Sequence, residues 1–134
     1  MQLLGIVSKS VRWIVDGMNV IGCRPDGWWR DRRAAMGALV ERLEQWAVRE
    51  NADVTVVFER PPTPPIASSV ITVTHAPAPA PNSADDEIVA LLAADPHPEQ
   101  VRVATSDRGL AERVRRARGE VFPAERLRDL IDPH

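Results

Sequence analysis

The chain reads as a single α/β domain in which a mostly parallel sheet is covered by helices on both faces. Three observations predict this. Short apolar, β-branched segments alternate with segments of helical periodicity, the pattern left by crossover connections between parallel strands. Two of the strand segments, Trp13-Ile14-Val15 and Val101-Arg102-Val103-Ala104-Thr105-Ser106, run straight into an aspartate, Asp16 and Asp107. A length of 134 residues with 44% hydrophobic content builds one core and leaves little for a second.

The elements follow in order. Residues 12–16 form a first strand that ends in a turn at Asp16-Gly17. Residues 31–49 are an amphipathic helix, because Met36, Leu39, Val40, Leu43, Trp46 and Ala47 recur at three- and four-residue spacing. Asp-Val-Thr-Val-Val-Phe-Glu, 53–59, is a β-branched run without strict alternation and therefore a strand buried on both faces. The proline-rich stretch 60–65 is too stiff for helix or central strand, and a third strand spans 70–74 before Pro77, Pro79 and Pro81 end it. A helix over 84–94 carries Ile88, Leu91 and Leu92 as its apolar stripe, with Ser83 as N-cap, and stops at Asp95-Pro96. A strand over 101–106, a helix over 110–118 capped by Gly119, a short strand over 120–122 and a closing helix over 124–131 complete the order β-α-β-β-α-β-α-β-α. No repeat, coiled coil or membrane span competes with this reading. Residues 1–11 are a poorly defined amino-terminal tail and 12–134 the domain. Leu3-Leu4-Gly5-Ile6-Val7 is too short, and lacks the flanks, to be a signal peptide, so a soluble cytoplasmic protein is expected.

A single Cys23 and three scattered histidines, His75, His97 and His134, exclude an internal disulfide and a zinc cluster, and fit a reducing compartment. The net charge of −2 gives no global footprint for nucleic acid. Locally the balance differs: residues 102–128 hold eight arginines against four acids. Arg108, Arg113 and Arg116 are candidate phosphate contacts, although arginines at a helix carboxyl end also complement its dipole. The run Trp28-Trp29-Arg30-Asp31-Arg32-Arg33 places basic residues where a helix dipole disfavours them. A phosphate chain would relieve that conflict, and aromatic rings beside arginines suit stacking of unpaired bases. At least one of the two tryptophans could instead pack beneath the loop. Trp13 and Trp46 belong to the core.

In open α/β sheets the ligand site lies beyond the carboxyl ends of the strands. Asp16 and Asp107 sit at such ends, and Ser83-Ala84-Asp85-Asp86-Glu87 opens a helix with three consecutive acids. Singly, each has a plainer reading: a turn-forming Asp before Gly17, or acids that complement a helix dipole. Brought together they would repel unless a cation sat among them, and Mg²⁺ or Mn²⁺ suits an oxygen-only set. Other α/β chemistries fail at a required position. Gly17 and Gly22 do not make a dinucleotide fingerprint, Met18 stands where a phosphohydrolase would carry its second Asp, and Lys9 is the only lysine.

Ile14-Val15-Asp16-Gly17-Met18-Asn19-Val20-Ile21-Gly22, Val56-Val57-Phe58-Glu59, Ser83-Ala84-Asp85-Asp86-Glu87-Ile88 and Ala104-Thr105-Ser106-Asp107-Arg108 resemble the motifs of the NYN domain, most closely its YacP-like branch, over residues 12–131. The resemblance implies a PIN-like three-layer fold, a five-stranded sheet of order 3-2-1-4-5, and metal-dependent hydrolysis of RNA by an endoribonuclease. It implies Asp16, Asp85 and Asp107 as metal-binding acids, with Asn19 in the strand-one motif fixing the loop. Asp86 and Glu59 are additional candidates; Glu59 is followed by Arg60-Pro61 where the family pattern has Asp and a small residue. A non-catalytic RNA-binding module of the same fold, and a phosphatase or flap-type nuclease, remain open alternatives.

Overall fold

The structure is a computed structural model that describes residues 11–78 and 80–133. The tail assigned to 1–11 lies, apart from Val11, outside the described residues. Five strands, β1 (Arg12–Asp16), β2 (Asp53–Phe58), β3 (Thr72–His75), β4 (Val101–Ala104) and β5 (Glu120–Phe122), form one sheet of order β3-β2-β1-β4-β5. Every pairing in it is parallel. The helices are α1 (Gly17–Gly22), α2 (Arg32–Glu50), α3 (Ser83–Ala94), α4 (Arg108–Arg116) and α5 (Ala124–Ile131).

Side chains alternate along each strand, so the sheet buries two separate cores. Trp13, Val15, Val54, Val56 and Phe58 pack with Met36, Leu39, Val40 and Leu43 of α2, and with Val20, Leu127 and Ile131 of α1 and α5. On the opposite face Ile14, Val57, Val101 and Val103 meet Ile88 and Leu92 of α3 and Leu110 and Val114 of α4. The second strand is thus buried on both faces, as its β-branched run predicts. Trp13 and Trp46 lie in the core with rings edge to face at 5.0 Å.

The structure corrects the sequence reading in five places. The turn after Asp16 is a helix, α1, whose buried Val20 and Ile21 face the core. The third strand begins at Thr72, because the Ser68 hydroxyl accepts the Val70 and Ile71 N–H groups and holds them in a turn. Ser83 lies inside α3; Asn82, in the left-handed region at φ 62°, precedes it as N-cap. At the end of α4 it is Arg118, at φ 72°, that takes the left-handed position. Its N–H bonds Arg115 and that of Gly119 bonds Val114, a Schellman ending. Gly119 is needed for space, since a Cβ there would stand 2.9 Å from Leu92 Cδ2.

Fifth, the strand expected over 101–106 ends at Ala104, and Thr105 and Ser106 lie in the loop beyond it. Arg128, one of the eight arginines of 102–128, is 5% exposed and donates to the Val20 and Ile21 carbonyls at the carboxyl end of α1. Asp132 and Asp26 neutralise it. A buried cation at a helix carboxyl end, sharing the Val20 carbonyl with the Cys23 N–H and thiol, ties α5 to α1.

Candidate active site

Parallel strands deliver their carboxyl ends to one edge, and β1 and β4 lie side by side there. Asp16 ends β1 and is 6% exposed. The chain can leave the strand abruptly only because Gly17 follows: a Cβ at 17 would lie 2.6 Å from two ring carbons of Phe58 and 3.0 Å from the Val57 carbonyl. Beyond β4, Thr105 is fully buried, and its hydroxyl donates to Asp16 Oδ2 at 2.8 Å while accepting the Asp107 N–H at 3.1 Å. Asn19 Oδ1 accepts the Ser106 N–H at 2.8 Å, and Ser106 Oγ accepts that of Ala124 at 3.0 Å. The loop that presents Asp107 is therefore latched to β1, α1 and α5. Asp107 itself is exposed and caps α4 by accepting the Leu110 N–H at 2.8 Å.

The acids act on one another. Burial pushes the Asp16 carboxyl up to about 6; the Thr105 hydroxyl opposes this, and the charges of Asp85, Asp107 and Glu59 add to it. Asp85, half-buried in the first turn of α3, is also raised by burial and then by Asp107, with Arg113 opposing and Asp86 and Glu59 contributing. Asp86 is exposed and pairs with Arg113 at 2.9 Å, so Asp85 and Asp86 play different parts.

Among the described residues no three acidic, His or Cys side chains converge closely enough to enclose an ion by themselves. The donor set nonetheless fits a hard divalent cation. It is oxygen-only and mutually repulsive, and Mg²⁺ commonly keeps several waters while binding one or two carboxylates and a substrate phosphate. Asp16 and Asp107, tied to one Thr105 hydroxyl, are the two acids that the structure links directly.

The candidate RNA-contacting residues are spread more widely. Trp28 packs on the core under the Arg32 guanidinium, 4.9 Å from its ring centroid. Trp29 is 49% exposed, edge to face with Trp28, and Arg30 lies over it at 5.9 Å. Arg33 donates to the Pro64 and Pro65 carbonyls. Arg113 is engaged by Asp86 and Arg116 by Glu112. Arg108, exposed directly after Asp107, makes no hydrogen bond or ion pair among the described residues. Thr105 and Ser106 were missed as site residues. Their signal was present: two hydroxyls at the end of a buried strand, directly before its aspartate.

No family model matches the sequence, and no curated protein matches it. Among solved structures the chain is similar to Rae1 (YacP) of Bacillus subtilis, with a TM-score of 0.72 and 23% identity over 89% of this chain and 72% of that one. The chain has the YacP fold. A point mutant of the same protein gives a TM-score of 0.70 over 90% of this chain and 74% of the other, again at 23% identity. At that identity the likeness is one of fold. The resemblance to the YacP-like branch is borne out at that level, and with it the parallel sheet of order 3-2-1-4-5. No helix among the described residues is long and apolar enough to cross a membrane.

Proposed function

We propose that the protein is a divalent-metal-dependent endoribonuclease. The observation that carries the reading is the placing of a buried Asp16 at the carboxyl edge of the sheet, beside Asp107, with the charges of Asp85 and Glu59 bearing on it. An edge that gathers carboxylates and buries one of them is strained until a cation or a proton arrives. A bound Mg²⁺ or Mn²⁺ supplies charge stabilisation for the phosphodiester and a more acidic water. Asp16 is the buried anchor, oriented by Thr105. Asp107 stays with it because its backbone hangs from the same hydroxyl. Asn19 keeps the 105–107 loop in place, and Arg108 meets the phosphate backbone. No Ser, Cys or His nucleophile is required, and hydrolysis leaves a 5′-phosphate and a 3′-hydroxyl.

The test compares labelled RNA, labelled DNA and a generic phosphate monoester, each with Mn²⁺ and with EDTA. Metal-dependent cleavage of RNA, absent in Asp16→Asn, supports the proposal. RNA binding without cleavage identifies the non-catalytic module, and turnover of the monoester alone identifies a phosphatase.

A further inference from the structure

Beside the acids, on the β2 side of the site, lies a pocket of about 570 Å³. It is within the ~300–1,000 Å³ typical of small-molecule sites. Met18 of α1 and the rings of Pro61 and Pro62 give it an apolar lining, with the buried Met36 and Phe58 behind them, while Arg32, Arg60 and Glu59 stand among its walls. Glu59 joins the pocket to the site, because its charge bears on both Asp16 and Asp85.

The far wall is the Pro61-Pro62-Thr63 segment. Arg33 secures the chain just beyond it by donating from α2 to the Pro64 and Pro65 carbonyls. Proline fixes its own backbone, so this wall is held from both sides. Arg60 is exposed and makes no hydrogen bond or ion pair among the described residues. Arg32 is committed only to the face of Trp28.

The charge arrangement selects the occupant. Arg32 and Arg60 attract an anion to the walls, whereas the Met18 thioether and the proline rings offer a phosphate no donor. An unpaired nucleobase with its own phosphate satisfies both zones at once, its flat apolar face inward and its charge on the arginines. We infer that this pocket takes one unpaired base of a single-stranded RNA, next to the phosphate held at the acids. The inference rests on the ribonuclease reading for the identity of the polymer. It adds a subsite built by Met18, Arg60 and the proline wall.

The test walks a single abasic ribose along an otherwise uniform single-stranded RNA and measures kcat/KM with Mn²⁺. At one position flanking the cut, loss of the base and its apolar contacts should lower kcat/KM on the order of ten-fold. Elsewhere the effect should stay within about two-fold. In Met18→Ala that position-specific penalty should shrink, and in Met18→Leu it should persist, with thermal melts confirming that both variants fold. A second arm uses pentaribonucleotides carrying 2-aminopurine in EDTA, where no cleavage occurs: fluorescence should respond to wild type and not to Met18→Ala. RNA that is cut with equal indifference to every abasic position overturns the base site and leaves the nuclease standing. No cleavage under any metal, with 2-aminopurine still responding through Met18, overturns the nuclease and leaves the base site.

Discussion

The two edges of the sheet treat charge in opposite ways. At the amino edge, where the strands begin, Arg12 donates to both carboxylate oxygens of Asp95, and Arg102 pairs with Glu120. The Arg12 hydrogen bond holds the Asp95 carboxyl below its ordinary range, and Asp95 raises the guanidinium in turn. At the carboxyl edge, burial and like charges raise Asp16 and Asp85. The same kind of side chain is thus stabilised at one edge and strained at the other. The contrast separates charges that serve the fold from charges that wait for a ligand.

Activity should show the contrast most strongly. Asp16→Asn nearly conserves shape and keeps an acceptor for Thr105, yet RNA cleavage measured with Mn²⁺ should fall to background. Asp53→Asn, an acid at the start of β2 on the opposite edge, should retain wild-type rates. Equal loss in both variants would erase the distinction between the edges.

The edges should also carry opposite pH signatures. Asp16 keeps its proton to about pH 6 in the folded protein but only to about pH 4 when unfolded. The unfolded state then binds fewer protons in that window, so the metal-free protein loses stability as pH rises from about 4 through 6. The loss is about 3 kcal/mol, and the curve is flat above it. Asp95, depressed by Arg12, contributes in the other sense: its stabilisation is present above about pH 4 and disappears as pH falls further. Urea melts in EDTA between pH 4 and 7.5 should show the fall in wild type and a smaller one in Asp16→Asn, where Asp85 still contributes in the same sense.

Much of this arrangement was legible in the sequence, and the limits are physical. Asp16 was visible because a charge at the tip of a buried strand is costly without a purpose, and Asp107 through the same strand-to-aspartate pattern, although it is exposed and caps α4. The site therefore announced itself through a violated preference. Helix α1 did not, because six residues bounded by Gly17 and Gly22 carry too little periodicity to separate helix from turn. Val70 looked like strand, but a hydroxyl two residues earlier captured its N–H. The burial of Arg128 was not legible, since nothing local records that it meets the end of α1. Whether Arg113 meets an acid is likewise a tertiary matter, because Asp86 lies on another helix, whereas the Arg116–Glu112 pair follows from i,i+4 spacing on α4.

Two smaller effects probe the paired and unpaired charges directly. Asp95→Asn breaks the Arg12 pair and should lower stability by about 1 kcal/mol in thermal melts while leaving the cleavage rate unchanged. Arg108→Ala should weaken single-stranded RNA binding and reduce the slope of log affinity against log salt by about 0.7, read by titration across salt concentrations in EDTA. An unchanged slope would place Arg108 with the structural charges.

The approach of Phe58 to Gly17 has a consequence for how this sequence can vary. The ring is fully buried and packed against α2, so it cannot swing aside for a methyl group at 17. Saturation mutagenesis at position 17 should recover glycine alone. Any descendant that departs from it must first have shortened residue 58, so the two positions drift together or not at all.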